Sequence, residues 1–392
     1  MTTRPRTRHL GLDLGATNLK WAVVEHAGDT WSTLAHGQVP SRVVPDPDAV
    51  PDAVVTQLAE VAAAAIADWG PVASIGIGIP GLYDPEAGAI RFLPNVPGPW
   101  AGHPVAGPVS AAAGVPVFLI NDARAFGLAA RRRGAGRGAP SIGGLTLGTG
   151  VGGVFAIDGR VHQGHDGTAG ELGHQTIDPD GPWCGCGNRG CVEAYARADQ
   201  IAAACGTATA EEAVRAAQAG DARARAGLAD VGRYLGIGIA NMITVITPDR
   251  VVIGGGVAAA GELLFGPIRA EIARRVKTTA IEDVTVVAAE LGVLAGAIGA
   301  AIHGAERAAE AEASQALAAA GDLLFDPIRA EIARRVTITS IDNVVVVAAE
   351  LGTLAGAIGA AVHSAERAVE TAASRAQAAG ASSPAPAGEP RT

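Results

Sequence analysis

Gly170-Glu-Leu-Gly-His-Gln-Thr-Ile-Asp-Pro-Asp-Gly-Pro-Trp-Cys-Gly-Cys-Gly-Asn-Arg-Gly-Cys-Val-Glu193 holds three of the four cysteines within eight residues, with a histidine ten residues before the first. His174, Cys184, Cys186 and Cys191 make one imidazole and three thiols, the donor set of a tetrahedral zinc site. Glycines 185, 187 and 190 let the backbone turn tightly enough for three sulfurs to reach one ion. Four protein ligands leave no position for a reactive water, so the zinc is expected to be structural. A reduced cysteine cluster or a labile disulfide is the alternative, although Cys-x-Cys is a poor disulfide spacing. A metal that pins a loop also fixes what the loop carries, and Glu171 and Glu193 frame this one.

Gly-Glu-Leu-Gly-His followed by Cys-Gly-Cys-Gly-x-x-Gly-Cys-x-Glu resembles the signature of the ROK family, bacterial sugar kinases and related repressors. The resemblance implies an α/β chain with the two-domain, actin-like ATPase (ribonuclease H-like) sugar kinase fold and a site in the cleft between domains. It implies that His174 and the three cysteines bind zinc, and that Glu171, the same His174 and Glu193 contact sugar hydroxyls.

The bulk composition is compatible with that. A chain of 392 residues is long enough for two ordinary domains, and 48% hydrophobic content with 4% aromatic calls for an aliphatic core. The net charge of −9 argues against nucleic acid as a partner, since a basic patch is its usual footprint. No apolar run follows the basic residues at the start, and none of about 18 residues that would span a bilayer is expected. Zinc-type thiol spacing suits a reducing compartment, so a cytoplasmic protein with no membrane contact is expected.

From His9 to Glu25 the sequence reads as strand, tight turn, strand, with Gly15, Ala16, Thr17 and Asn18 in the turn. Small residues let backbone amides approach a phosphate, and Thr17 adds a hydroxyl. Asp13 is placed to hold Mg²⁺, usually through water. A plain hairpin would read the same way. The stretch resembles the first phosphate motif of actin-like sugar kinases, which implies ATP and Mg²⁺ as cofactors and puts Asp13, Gly15, Ala16, Thr17, Asn18 and Lys20 on the nucleotide side. Ala16 stands where that family more often has glycine.

A third strand at 31–39, a helix at 51–69 and a buried strand at 72–80 follow, then a turn-rich loop over 81–100. In that loop Gly81 and Asn95 are the candidates for sugar contact that the resemblance implies, with loop packing as the alternative. The apolar strand 115–120 ends in Asn121-Asp122 ahead of a helix, where α/β folds place ligands. Asp122 equally suits a helix N-cap. The resemblance makes Asp122 the catalytic base and Asn121 a sugar ligand, and sets Ala130 where the family usually carries Glu. Arg131-Arg-Arg-Gly-Ala-Gly-Arg137 reads as a solvated loop. A strand at 141–147, the turn Gly148-Thr-Gly-Val-Gly-Gly153 and a return strand at 154–157 resemble the second phosphate motif, with Gly148, Thr149 and Gly150 at the phosphates. Gly254, Gly255 and Gly256, after the buried strand 250–253, resemble the adenosine motif.

Residues 260–314 recur as 320–374 with 41 of 55 positions identical, each copy reading helix, strand, helix. The expected organisation is an N-terminal domain at 1–120 and a C-terminal domain at 121–315 whose last helix packs back on the first. A tandem duplicate at 316–374 and a disordered tail at 375–392 complete it. Eight residues before His9 are too few for a helix-turn-helix, so a kinase is expected over a repressor. The expected reaction is ATP-dependent phosphorylation of a hexose, glucose first, by a homodimer. An N-acetylhexosamine substrate, polyphosphate as donor and a weakened sugar-binding regulator are the variants.

Overall fold

Alternating apolar residues on either side of the first small-residue turn build β1 (Thr7–Leu14) and β2 (Asn18–Ala27), an antiparallel pair extended by β3 (Thr30–Pro40). The computed structural model describes residues 6–335 apart from 29, 43, 166 and 279. Helix α1 (Val50–Trp69) buries Val50, Val54, Leu58, Ala62 and Ala65, a stripe at helical spacing. The segment 47–69, with a mean hydropathy of 1.4, is long and apolar enough to cross a membrane by length and composition alone, where no stretch of that kind was expected. Its apolar character is met here by that buried stripe within the first sheet's core.

Strand β4 (Ser74–Ile79) has all six residues buried, as befits the middle of a sheet covered on both faces. The expected loop 81–100 instead contains a hairpin, β5 (Leu82–Asp84) and β6 (Ala89–Phe92). The Asp84 carboxylate accepts from the Glu86 and Ala87 amides and closes the turn, a local bond that turn-residue counting does not reveal. Helix α2 (Ala106–Ala113), β7 (Val117–Asn121) and α3 (Asp122–Arg132) complete the first half. The sheet order is β3-β2-β1-β4-β7, with β1, β4 and β7 parallel.

The second half repeats this order. Strands β8 (Ile142–Leu147), β9 (Val151–Ile157) and β10 (Arg160–Val161) form an antiparallel ribbon. After the zinc-type loop come α4 (Glu193–Ala196), α5 (Ala198–Cys205), α6 (Ala210–Gln218) and α7 (Ala222–Ile246). Then follow β11 (Arg250–Gly254), α8 (Glu262–Arg275), β12 (Thr285–Ala288) and α9 (Ala295–Arg335). The order β10-β9-β8-β11-β12, again with three parallel strands, matches the first sheet position for position. This paired α/β architecture is the actin-like ATPase fold of the sugar kinases. Strand β9 starts at Val151, so Gly152 and Gly153 lie in the strand and not in the turn. A Cβ on Gly153 would stand 2.3 Å from the Gly170 carbonyl, so glycine there serves packing against the zinc-type loop.

The first turns of α9 lie in one apolar cluster with α3 and with residues of both sheets. They come so close to the first sheet that a Cβ on Gly11 or Gly76 would sit 1.8 Å from the Ala297 carbonyl or 1.7 Å from that of Ala300. The basic run is only partly a solvated face, with Arg132 and Arg137 exposed. Arg131 and Arg133 are half-buried, Arg132 pairs with Glu306, and Arg133 donates to the Thr33 hydroxyl, so the run stitches α3 to α9 and β3.

By its contacts the chain divides into units 1–308 and 309–392, and both sheets belong to the first. The first copy of the repeat forms α8, β12 and the start of α9. Residues 322–335, which match α8 at an offset of 60, are also helical, as near-identical sequence requires. The rest of the second copy and the expected tail at 375–392 lie outside the described residues.

Candidate active site and metal centre

Both glycine turns stand at the tips of the first hairpin of each half. In the first, the Gly15 amide donates to the Asn18 carbonyl at 3.1 Å, and Ala16 and Thr17 are exposed. Ser41, which the motif reading did not include, pins this turn: its hydroxyl donates to the Gly15 carbonyl at 2.6 Å and its amide to the Thr17 carbonyl at 2.9 Å. Asp13, one residue before the end of β1, lies 3.5 Å from the Lys20 Nζ. Burial holds its carboxyl above the usual range, and the Lys20 ammonium opposes this. In the second turn Gly148 and Thr149 are exposed, and the Gly148 amide donates to the Gly150 carbonyl at 2.9 Å. Gly254 ends β11, while Gly255 and Gly256 are exposed beyond it. Gly255, at φ 98°, lies where a Cβ would fall 1.9 Å from the Leu147 carbonyl, so the β8 and β11 ends meet through it.

At the end of β7 the N-cap of α3 is Asn121 and not Asp122. The Asn121 side-chain oxygen accepts from the Ala123 and Arg124 amides at 3.1 and 3.3 Å, and its Nδ2 donates to the Gly81 carbonyl at 3.2 Å. Asn121 is thereby buried and holds the Gly81 bend against β7. Among the described residues the Asp122 carboxylate accepts the Ala123 amide, at 2.8 Å, and is not the N-cap. Burial, then the Asp13 and Glu171 carboxylates, push its pKa up to about 7, against the Ala123 amide and the Arg124 guanidinium. A carboxyl held near neutrality is matched to exchanging a proton at physiological pH. Asn95 is exposed on the loop after β6.

Arg124 escaped the motif reading. It is 1% exposed on α3, one position from Ala123, and its Nη2 donates to the Ala169 carbonyl at 2.7 Å and to Glu171 Oε1 at 3.3 Å. Its Nε and Nη1 are buried without a hydrogen-bond partner among the described residues. An arginine two residues after Asp122 gives no sign in the sequence of being buried; its pairing with Glu171, 47 positions on, is a tertiary feature.

The zinc-type loop brings His174, Cys184, Cys186 and Cys191 together, with all four donor atoms within 4.8 Å of one another. His174 Nδ1 lies 3.7 Å from Cys184 Sγ, and the Cys186 and Cys191 sulfurs are 3.8 Å apart. With Zn–S bonds of about 2.3 Å, a tetrahedron places neighbouring sulfurs about 3.8 Å apart, so the donors fit zinc. A disulfide, at about 2.05 Å, does not fit that separation, and all four cysteines are free. Backbone bonds shape the knuckle: the Cys184 amide to the Asn188 carbonyl at 2.8 Å and the Ile177 amide to that of Gly190 at 2.8 Å. Glu171 stands half-exposed beside Arg124. Glu193 opens α4, with Oε2 accepting from the Val151 amide at 2.9 Å.

A family model described as the ROK family matches residues 9–306. The glucokinase of Thermotoga maritima is 34% identical over 316 residues, covering 76% of this chain and 97% of that protein. The xylose repressor of Bacillus subtilis is 31% identical over 235 residues, 58% of this chain and 60% of the repressor. A ROK family glucokinase from Streptomyces griseus, solved in complex with glucose and AMPPNP, aligns with a TM-score of 0.66 at 30% identity, over 76% of this chain and 99% of that one. The matched span takes in both sheets, both glycine turns, Asp122 and the four-donor loop; this chain belongs to the ROK family.

Proposed function

We propose that this protein phosphorylates a hexose, glucose first, by in-line transfer of the ATP γ-phosphoryl group. The observation that carries the reading is Asp122: a carboxyl free of capping duty and poised near neutrality, at the end of β7. Asp122 accepts the proton of the attacking sugar hydroxyl; catalysis otherwise consists of positioning and charge neutralisation. Glu171, His174 and Glu193 orient the sugar, and Asn121, bonded to Gly81, shapes the sugar-side bend, with Asn95 on the adjoining loop. The 15–18 and 148–150 turns cradle the phosphates, and Gly254, Gly255 and Gly256 receive the adenosine. Asp13 would hold Mg²⁺ through water, and Lys20, 3.5 Å from it, would face the nucleotide phosphates. His174, Cys184, Cys186 and Cys191 hold a structural zinc that keeps the loop in shape. The glucokinase relatives support glucose over an N-acetylhexosamine.

A sugar-binding regulator is the second reading, favoured by the repressor relative and by Ala130. Ala130 is buried among apolar residues eight positions beyond Asp122, about 12 Å along the helix, so it offers the base no polar support. The test is ADP release with ATP–Mg²⁺ against a panel of hexoses and N-acetylhexosamines. Turnover on one sugar that is lost in Asp122→Asn establishes the kinase. Tight sugar binding without turnover, from ATP or polyphosphate, turns the assignment to the regulator.

A further inference from the structure

Glu193 has two neighbours of different kinds. Its Oε2 accepts the Val151 amide at 2.9 Å, where the second glycine turn enters β9. Gly150 packs on the same oxygen, and a Cβ there would stand 2.6 Å from it. Five residues after Glu193, the Ala198 amide donates to the Gly148 carbonyl at 2.8 Å. The turn is thus held at 148 and 151 by a short segment that begins two residues after Cys191. The other carboxylate oxygen, Oε1, faces the metal cluster, 3.5 Å from Cys184 Sγ.

We propose that Glu193 is a positioning residue for the phosphoryl donor, with Oε2 fixing the 148–151 turn while Oε1 faces the metal cluster. The inference rests on reading that turn as a phosphate cradle. An exposed Gly-Thr-Gly tip has many backbone states, and each must be given up when a ligand binds. A charge-assisted bond from a segment clamped by the four-donor cluster removes those states beforehand. Thr149 then presents its hydroxyl from a set position.

The experiment is calorimetric binding of ATP–Mg²⁺ to the zinc-loaded full chain with no sugar present. Glu193→Ala is expected to weaken binding about tenfold, and Glu193→Gln, which keeps an acceptor for Val151, to stay within about threefold of the parent. Zinc content is measured in each. Gly150→Ala, which crowds Oε2 from within the turn and leaves the four metal ligands unchanged, is expected to weaken binding similarly, and Val151 amide exchange then tells a loosened tether from a crowded cradle. Unchanged sugar-free ATP binding in Glu193→Ala and Gly150→Ala overturns the proposal and leaves Glu193 a sugar ligand alone. Hydrogen exchange of the Val151 amide tests the tether without any nucleotide: faster exchange in Glu193→Ala is expected, and unchanged exchange overturns it. A parent protein that shows the Val151 exchange difference but binds no ATP–Mg²⁺ overturns the reading of this turn as an ATP cradle, while the kinase assignment stands or falls on turnover.

Discussion

Asp122 is worth most at the level of single residues, because its environment sets both rate and stability. Loss of a general base typically costs about 10²–10⁴ in rate, and Asp122→Asn is expected to fall in that range of kcat while still binding sugar. The base works only when ionised, so kcat/KM is expected to fall on the acid side of about pH 7. The stability sign is the reverse. A carboxyl raised from about 4 to about 7 binds its proton more tightly in the folded state, so folding weakens as pH climbs through that window. Asp122→Asn removes this loss; its thermal midpoint relative to the parent is expected to rise between pH 4 and pH 8, and a constant difference contradicts the raised value. Arg124 acts on the same group from α3 and on Glu171 from across the site. Arg124→Met is expected to raise the KM for sugar and to move the acid limb to higher pH, since a positive charge that favours the ionised base is gone.

Two elements decide whether those residues meet. The zinc-type loop carries Glu171 and Glu193 on a knuckle whose four donors span 4.8 Å. Cys191→Ser is expected to lose the metal, read by elemental analysis, and with it sugar binding, while both sheets persist by circular dichroism. Helix α9 is the other. Its contact with β1 and β4 leaves no room for a methyl group at Gly11 or Gly76, and the clashing atoms are backbone carbonyls that cannot rotate away. Gly76→Ala is expected to destabilise by about 1–3 kcal/mol or more, read by denaturant unfolding, because the helix must shift bodily.

At the scale of the molecule, two sheets of identical strand order place equivalent turns, at 15–18 and 148–150, at corresponding places in the two halves. All catalytic candidates lie within the first unit, 1–308. A chain ended after residue 315 is therefore expected to fold and to turn over sugar as the full chain does. Loss of turnover in that soluble fragment contradicts the view that the second repeat has no chemical role.

Much of the site was legible because its chemistry is local. The zinc ligands, both glycine turns and Asn121-Asp122 are short motifs whose residue types are set by neighbours a few positions away. The strands and long helices were legible too, since apolar spacing follows burial. Other features depend on partners far along the chain. Arg124 is paired with Glu171 47 positions on, the Arg131–Arg133 run is tied to Thr33 and Glu306, and Asn121 rather than Asp122 caps α3 because Gly81 takes its other end. The repeated sheet order is invisible in sequence because the two halves share a backbone plan and not a residue pattern. Local sequence determined which candidate groups this protein has for holding metal, phosphate and sugar. The tertiary structure alone decided which are free to act, because burial and hydrogen bonding from distant segments set each carboxylate's charge and partner.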